Sequence, residues 1–279
     1  MSLRRAAVLG RPVAHSLSPV LHRAAYTALG LAGWHYDAIE CGDSELPWLV
    51  AGLGAEWVGL SVTMPGKVAA LQVAVSATER ATVVGAANTL VRAEGGWVAD
   101  STDVDGVVGA LRATGFGAPA TGLAVLLGAG GTARAALAGL AELGMVEVVL
   151  VVRDAGRAAA TVRCGQRLGL SVPVRVWGEG GLAGLCAGAD VVLSTVPAAA
   201  SEPVAAAVAA APVVLDAGYH PWPTPIASAA GASGSRLASG LDMLLHQAFG
   251  QVEQFTGRPA PQQAMRDALQ VATGHSLAV

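Results

Sequence analysis

The stretch Ala124-Val125-Leu126-Leu127-Gly128-Ala129-Gly130-Gly131-Thr132-Ala133-Arg134-Ala135 predicts a β-strand, a tight turn and the start of a helix. After the apolar run, small and apolar residues recur with the period of one helix face, at Ala133, Ala136, Leu137, Leu140 and Gly144. The backbone N–H groups and the macrodipole at the N-terminus of such a helix favour an anion. Gly128 allows the sharp turn, Gly130 lets a phosphate approach the backbone, and Ala133 replaces a third glycine where helix and strand pack.

This turn predicts a dinucleotide site, formed by Gly128, Ala129, Gly130, Gly131, Thr132 and Ala133. A glycine turn of this kind also occurs as a packed strand-to-helix connection without a ligand, and the motif alone leaves that alternative open. Its context favours the dinucleotide. Apolar strands predicted at 124–127, 147–152, 190–194 and 213–216 alternate with alanine-rich helical stretches, which is typical of a parallel, doubly wound sheet.

The composition is that of a densely apolar globular chain, long enough for about two domains. Of 279 residues, 53% are hydrophobic and 13% are charged, and the formal net charge of −3 leaves no broad basic face for nucleic acid. Cys41, Cys164 and Cys186 form no CxxC pair, as expected of reduced thiols. Glycine and proline interrupt the uncharged stretch from Ala113 to Ala133, so we expect no membrane span and a cytoplasmic protein.

The N-terminal part predicts a mixture of strands and helices. Strands are expected at 6–10, 34–41 and 57–62, and an extended segment within 83–91 is expected to pair with 97–99 across the turn at 94–96. Helices are expected from Pro19 to about Gly30 with Ser18 as the N-cap, from Pro65, over 103–113, after Gly240 and after Pro261. The alanine-rich segment 198–211 predicts a packed helix.

Four polar clusters lie at the ends of predicted strands or the starts of predicted helices, where α/β proteins place ligand-binding groups. They are His15-Ser16-Leu17-Ser18-Pro19, Leu60-Ser61-Val62-Thr63-Met64-Pro65-Gly66-Lys67, Gly85-Ala86-Ala87-Asn88-Thr89-Leu90 and Asp100-Ser101-Thr102-Asp103-Val104-Asp105-Gly106. Taken singly, the serines and acids are also explained as helix caps, and Asn88 as a turn residue. Lys67 is different, because the macrodipole disfavours a cation at a helix start, and this position indicates a functional role.

The same clusters argue against a metal site. The acids at Asp100, Asp103 and Asp105 lack the spacing and the terminal glutamate of a calcium loop. The histidines match no HExxH or comparable zinc spacing. We therefore predict no metal.

The ordered set of motifs resembles the shikimate/quinate dehydrogenase family. Its pattern is present as Gly10-x-Pro12, His15-Ser16-x-Ser18-Pro19, Val62-Thr63-x-Pro65-x-Lys67, Gly85-Ala86-x-Asn88-Thr89, Thr102-Asp103, the Gly128-Ala129-Gly130-Gly131 turn and Gly240-x-x-Met243-Leu244-x-x-Gln247. The resemblance covers almost the whole chain, and the ordered set is far more specific than any one member.

The resemblance implies reversible reduction of 3-dehydroshikimate to shikimate with NADPH, in the biosynthesis of aromatic amino-acid precursors. It places Lys67 and Asp103 at the catalytic positions. Hydride addition to a ketone creates an alkoxide that needs a proton. Lys67 can supply this proton or stabilise the developing charge, while Asp103 orients the lysine and a substrate hydroxyl. It also implies that Ser16 and Ser18 hold the substrate carboxylate, with Tyr219 nearby. Ring hydroxyls would be bound by Thr63, Asn88, Asp103 and Gln247, and Gly240 would contribute to the cofactor site.

Two departures from the family pattern bear on local geometry, because Ser61 and Ser101 stand where the family usually has asparagine.

The choice of cofactor depends on Arg153 and Asp154, at the end of the second predicted strand of the nucleotide unit. An arginine there accommodates the 2′-phosphate of NADP, whereas an acid binds the ribose hydroxyl of NAD. Arg153 is the first residue after the predicted strand and predicts NADP, whereas the Asp154 that follows it favours NAD.

We therefore predict two α/β domains. Residues 1–105 and 238–279 are expected to form a substrate-binding domain, with the C-terminal helices packing back on it, and residues 106–237 a Rossmann-type NADP domain. The expected partners are small molecules, and the expected state is a monomer or homodimer. Two alternatives remain: a quinate/shikimate dehydrogenase using NAD, and a nucleotide-binding paralogue without turnover. Paired Ser16 and Ser18, together with Arg153, argue against the first, and the presence of both Lys67 and Asp103 argues against the second.

Overall fold

The computed structural model describes residues 3–117, 119 and 122–277, and it divides the chain into two compact units. The first comprises Met1–Thr102 and Leu244–Ser276, and the second Asp103–Met243 and Leu277–Val279. Each unit is built around one sheet of six strands. The predicted α/β class is confirmed.

The described part of the first unit contains six strands, with helices from the N-terminal and the C-terminal parts of the chain. The strands are β1 Arg4–Gly10, β2 Trp34–Glu40, β3 Trp57–Val62, β4 Ser76–Ala77, β5 Thr89–Ala93 and β6 Gly96–Asp100. The helices are α1 Ser18–Ala28, α2 Leu46–Ala51, α3 Lys67–Val73 and α4 Glu79–Val84, together with α12 Gly240–Thr256, which begins in the second unit, and α13 Gln262–Thr273. The strand order is β2-β1-β3-β5-β6-β4.

The C-terminal helices complete the core of this first unit, as predicted. The Phe255 ring of α12 lies directly over Gly59 of β3, where a Cβ would collide with it. Helix α13 packs along α1, and the Arg258 guanidinium donates to the main-chain oxygen of Leu29 at 2.7 Å. The hairpin of β5 and β6 is also confirmed, with Val91 opposite Val98 and Gly95 in the turn at a φ of +82°.

In its described residues, the second unit contains the other six strands and seven helices. The strands are β7 Leu123–Leu127, β8 Glu147–Val152, β9 Val174–Val176, β10 Val191–Ser194, β11 Val213–Asp216 and β12 Arg236–Ser239. The helices are α5 Asp103–Ala113, α6 Gly131–Glu142, α7 Ala159–Arg167, α8 Leu182–Ala187, α9 Ala198–Ser201, α10 Ala205–Val208 and α11 Pro225–Ser233. The strands pair in parallel in the order β12-β11-β10-β7-β8-β9.

This order is doubly wound, because the chain moves outward from β7 through β8 to β9 and then returns to β10 on the other side of β7. In such a sheet, ligands bind beyond the carboxyl ends of the strands, at the point where the strand order reverses. The glycine turn after Leu127 lies at that point. Buried apolar side chains cover both faces of the sheet, and Ala124 to Leu127 are fully buried.

Several predicted helix details are wrong, each for a local reason. Leu17 rather than Ser18 is the N-cap of α1, so the Ser18 hydroxyl does not cap it. Helix α3 begins at Lys67 rather than Pro65, since Thr63 to Gly66 form a turn first. The segment 198–211 is broken into α9, a 3₁₀ turn and α10, because Pro203 has no N–H to continue a helix.

Two other boundaries also differ from the prediction. Gly144 lies beyond the end of α6 at a φ of +95°, where its N–H bonds to Ala141 and that of Met145 to Leu140. This is a Schellman C-cap rather than part of the helix face. In the segment 83–91, α4 ends at Val84 and the strand begins only at Thr89.

Candidate active site

The glycine turn of the second unit has the geometry of an anion site. Gly128 has a φ of +106°, and a Cβ there would collide with the Thr195 hydroxyl, so only glycine fits. Gly130 precedes the first residue of α6, and a Cβ at Gly130 would meet no atom within 4 Å. Ala133 is fully buried where α6 packs on the sheet. The turn therefore leaves open space in front of a twelve-residue helix whose N-terminal N–H groups can bind a phosphate.

The open space at Gly130 makes a direct test of phosphate approach possible. Gly130 has a φ of −86°, which alanine adopts without strain, so Gly130→Ala is expected to leave the thermal midpoint of unfolding unchanged. If a pyrophosphate lies against this backbone, the added methyl group displaces it, and KM for NADP rises by about tenfold. Gly231→Ala in α11, which also faces open space, is the control and leaves KM for NADP unchanged. An unchanged KM for NADP in Gly130→Ala would mean that no phosphate of the cofactor lies against Gly130.

Arg153 and Asp154 follow β8, and both are exposed. The Asp154 carboxylate accepts a hydrogen bond from the Gly156 N–H at 2.9 Å and caps the 3₁₀ turn Ala155–Arg157. Asp154 thus has a structural partner within its own turn, whereas Arg153 is an exposed cation next to it in the chain. This arrangement weakens the sequence signal for NAD and favours a 2′-phosphate.

Asn88 is the centre of a buried polar cluster in the first unit. Its Oδ1 accepts from the Thr102 N–H at 2.8 Å and from the Thr89 hydroxyl at 2.9 Å. Its Nδ2 donates to the Gln247 side-chain oxygen and to the Thr102 hydroxyl, both at 3.0 Å. The backbone donor of Thr102 fixes which end of the amide is the oxygen, so the N–H₂ group faces Gln247. Two predicted substrate-binding residues, Asn88 and Gln247, are therefore in direct contact.

Lys67 lies at a helix start, as the sequence predicts, and the structure makes it the first residue of α3 and partly buried. Its main-chain oxygen accepts from the Ala87 N–H at 2.8 Å, which ties the start of α3 to the residue preceding Asn88. All but one of the 17 basic residues in the chain are arginine, and Lys67 is the exception. An arginine cannot give up its proton in a protein, whereas a lysine can. A proton-transfer role explains why this one position carries an amine.

The remaining predicted residues of the first unit lie at loop and helix starts. The Ser16 hydroxyl accepts from the Ser18 N–H at 3.4 Å, and Ser18 is buried at the first position of α1. Thr63 follows β3, its N–H bonds to the Leu9 oxygen at 2.8 Å, and its methyl group fills the space left by Gly10.

Asp103, Tyr219 and Gly240 belong to the second unit. Asp103 is the buried first residue of α5 and directly follows Thr102, which Asn88 holds in place. Tyr219 follows β11, and burial raises the pKa of its hydroxyl. A Cβ at Gly240 would collide with the Ala217 oxygen, so glycine is required where α12 passes the turn before Tyr219. In that turn, burial raises the pKa of Asp216, against the hydrogen bonds from Thr224 and Gly218.

Sequence reasoning missed three buried polar residues beneath the Asn88 cluster: His22, Tyr36 and Gln251. Gln251 contacts both the Asn88 main chain and Ser61. The available signal was the spacing of Gln247 and Gln251, which places two amides on one face of α12. Ser61, one of the departures from the family pattern, is hydrogen-bonded to Tyr36 at 2.6 Å and to Gln251 at 2.7 Å. The Ser61 hydroxyl therefore both accepts and donates a hydrogen bond in this chain.

Residues 3–117, 119 and 122–277, which the structure describes, hold neither a metal-binding cluster nor a helix able to cross a membrane. No group of three or more histidine, cysteine, aspartate or glutamate side chains there is placed to hold a metal ion. No helix in the same residues combines the length and apolar character that crossing a membrane requires.

Comparison with known proteins gives a consistent result. Residues 8–90 match the shikimate dehydrogenase substrate binding domain, and residues 240–270 match the shikimate 5'-dehydrogenase C-terminal domain. A Citrifermentans bemidjiense protein named shikimate dehydrogenase (NADP(+)) is 37% identical over 273 residues, covering 95% of this chain and 93% of the relative. The Mycobacterium tuberculosis shikimate dehydrogenase structure is 56% identical, with a TM-score of 0.90 and coverage of 96% and 99%. A Thermus thermophilus shikimate 5-dehydrogenase in complex with NADP(H) and shikimate is 30% identical, with a TM-score of 0.81 and coverage of 97% and 100%.

Proposed function

Since the chain belongs to the shikimate dehydrogenase family, we propose that it catalyses the reversible reduction of 3-dehydroshikimate to shikimate with NADPH. The observation that carries this proposal is the single lysine, Lys67, anchored beside the Asn88 cluster in a chain whose other basic residues are all arginine. A cluster that only binds a ligand does not need a transferable proton at that position. The glycine turn supplies the separate requirement for a dinucleotide.

The bound nicotinamide supplies the hydride that reduces the ketone carbon. The residues of this chain must then stabilise the oxygen that becomes an alkoxide and deliver a proton to it. We assign proton delivery to the Lys67 ammonium and orientation of the substrate hydroxyl to the Asp103 carboxylate. The Asn88 amide, whose N–H₂ group faces Gln247, is the donor for a ring hydroxyl, and Gln247 and Thr63 complete the set. Ser16 and Ser18 are assigned to the carboxylate, with Tyr219 near it.

We assign the substrate to the domain formed by residues 1–105 and 238–279, and NADP to residues 106–237. The assigned cofactor residues of the second domain are Gly128, Ala129, Gly130, Gly131, Thr132, Ala133 and Arg153, and Gly240 of the first domain joins them. The first assignment is supported by the Asn88 cluster and the second by the glycine turn at the reversal of strand order.

The decisive experiment measures kcat/KM for oxidation of shikimate and of quinate, each with NADP and with NAD. Shikimate with NADP is expected to have the highest value of the four. Oxidation of quinate with NAD at the highest value would favour the quinate dehydrogenase alternative. Binding of NADP without oxidation of either alcohol would instead establish a paralogue without turnover.

Arg153→Ala tests the cofactor assignment separately. A charge-assisted hydrogen bond to the 2′-phosphate contributes about 1.5–3 kcal/mol, so the variant is expected to raise KM for NADP by roughly tenfold to a hundredfold. KM for NAD, which has no 2′-phosphate, should stay the same. Asp154→Ala is the matched control, since its carboxylate caps its own turn and should leave the NADP/NAD ratio nearly unchanged. An equal rise in KM for NAD and for NADP in Arg153→Ala would mean that Arg153 does not bind the 2′-phosphate.

We also propose that the protein acts in the cytoplasm as a monomer or homodimer. The three cysteines are free and buried, and burial raises the pKa of Cys164 and of Cys186 to about 11. Such thiols are unreactive and suit a reducing compartment. Light scattering on the purified protein will give the oligomeric state, and a tetramer would contradict this proposal.

A further inference from the structure

A chain of buried hydrogen bonds runs beneath the Asn88 cluster through Tyr36, Ser61 and Gln251, and we call these three residues the hydroxyl relay. The Tyr36 hydroxyl donates to Ser61 at 2.6 Å, and the Ser61 hydroxyl donates to the Gln251 oxygen at 2.7 Å. The Gln251 Nε2 donates to the Asn88 main-chain oxygen at 3.2 Å and to the Thr89 hydroxyl at 3.1 Å. All three relay side chains are at most 4% exposed, so water does not compete for these bonds.

The direction of every bond in the relay is fixed by one carbonyl group. The Asn88 main-chain oxygen can only accept, so the Gln251 N–H₂ group must face it and the Gln251 oxygen must face Ser61. The Ser61 hydroxyl therefore donates its single proton to the Gln251 oxygen, and Tyr36 must be the donor to Ser61. The same reasoning gives His22, 3.2 Å from the Gln251 oxygen, a proton on Nε2. Burial lowers the pKa of His22 to about 3, so the ring is neutral and carries only that proton.

At its other end the relay begins at the buried Tyr36 hydroxyl. Burial raises the pKa of the Tyr36 hydroxyl, and hydrogen bonds with Ser61 and Ser18 lower it in part. The phenol is therefore protonated at all physiological pH values. It can therefore act as the donor to Ser61 that the direction of the chain requires.

We propose that Tyr36, Ser61 and Gln251 are positioning residues for the substrate, which hold the hydroxyl-binding Asn88 in place through one directed hydrogen-bond chain. This inference rests on the proposed function, because it takes Asn88 as a substrate-binding group. None of the three relay residues contacts the reacting carbon in this assignment. Their effect is to fix the position of Asn88 before the substrate binds, which lowers the entropy cost of binding.

The test compares Tyr36→Phe and Ser61→Ala with the wild-type enzyme. Each variant removes one hydroxyl and is expected to raise KM for shikimate by roughly threefold to tenfold, the usual worth of one buried hydrogen bond. Because the relay acts on substrate placement, kcat and KM for NADP should change by less than about twofold. A merely structural role would lower the thermal midpoint without singling out KM for shikimate.

Tyr26→Phe is the matched control. Tyr26 is a buried tyrosine of α1 in the same aromatic cluster, 6.0 Å from the His22 ring centroid. Within the residues that the structure describes, its hydroxyl has no hydrogen-bond partner. Removing that hydroxyl should leave KM for shikimate unchanged. An equal rise in KM in Tyr26→Phe would overturn the relay, since it would show that loss of any buried hydroxyl in this cluster has the same effect.

The double variant Tyr36→Phe/Ser61→Ala adds a second criterion. Two residues of one relay are coupled, so the double variant should raise KM for shikimate no further than the more affected single variant. Multiplying effects, or an unchanged KM in both single variants, would overturn the proposal. These outcomes are separate from failure of the proposed function, because a wild-type enzyme that does not oxidise shikimate refutes that function before any variant is made.

Discussion

Replacing Lys67 with alanine is expected to lower kcat for shikimate oxidation by about a hundredfold to ten-thousandfold, the usual range for loss of a general acid–base group. KM should change by less than about threefold, because the ammonium interacts most strongly with the oxygen when it carries developing negative charge. The ground-state substrate is held by other groups, chiefly the Asn88 cluster. Steady-state kinetics with NADP at saturation measures both constants. A variant with normal kcat would remove Lys67 from the chemistry.

Two further variants separate proton transfer from charge stabilisation and from structural damage. Lys67→Arg keeps the positive charge but cannot give up a proton, so a kcat as low as that of Lys67→Ala indicates proton transfer. A kcat close to wild type in Lys67→Arg would indicate charge stabilisation alone. Val68→Ala alters the next residue of α3, whose side chain is 46% exposed, and should leave both kinetic constants unchanged.

The rarity of lysine in this chain offers an independent measurement. Because Lys67 is the only lysine, an amine-specific acylating reagent can modify just that side chain and the chain terminus. We expect saturating shikimate and NADP to slow modification at Lys67, as read by mass spectrometry of peptides, and activity to fall in parallel with that modification. Loss of activity while Lys67 remains unmodified would contradict its assigned role.

Replacing Arg80 with alanine is expected to lower the free energy of unfolding by about 3 kcal/mol, the low end of the range for breaking a buried ion pair. Arg80 holds Asp100 with two hydrogen bonds, of 2.7 and 2.5 Å, and the Asp100 side chain is only 4% exposed. Without Arg80 the carboxylate keeps Thr78 and Gln254 as partners but loses its counter-charge. The low end applies because the Arg80 side chain itself is 32% exposed. Urea denaturation measures the loss.

The pH dependence of this loss follows from the pKa of Asp100. Burial alone would raise that pKa, but the hydrogen bonds and charge of Arg80, with Thr78 and Gln254, bring it below its usual value of 3.8. A carboxyl whose pKa is lower in the folded state stabilises the fold above its unfolded pKa, and this contribution is lost as pH falls through the folded value. The difference between wild type and Arg80→Ala should therefore be full at neutral pH and narrow under acid conditions.

Arg5→Ala is the control for the buried pair. Arg5 and Asp37 also form an ion pair, at 2.8 Å, but their side chains are 40% and 37% exposed. Solvent screening limits such pairs to about 0.2–1 kcal/mol. A loss in Arg80→Ala no larger than that in Arg5→Ala would mean that burial of Asp100 adds nothing to its ion pair.

Much of the second unit could be predicted because its signals are local. The strand at Leu123–Leu127, the turn at Gly128 and the helix after it are adjacent in sequence, and each is specified by its own residues. The errors in helix boundaries also have local causes, because one segment can contain both residues that favour a helix and residues that end it. Pro203, for example, divides a segment whose alanines alone favour a continuous helix.

The sequence by itself determined the α/β class, the dinucleotide turn and the family, since each depends on residue types at short, fixed spacings. Only the tertiary structure decided which polar groups meet. Gln251 and Asn88 are 163 residues apart, Arg80 and Asp100 lie on different elements, and the role of Ser61 depends on both Tyr36 and Gln251. No periodicity encodes such pairs, because folding and not chain spacing brings them within hydrogen-bond distance. Burying a polar group without a hydrogen-bond partner costs free energy, so each of these buried groups requires the partner that folding brings to it.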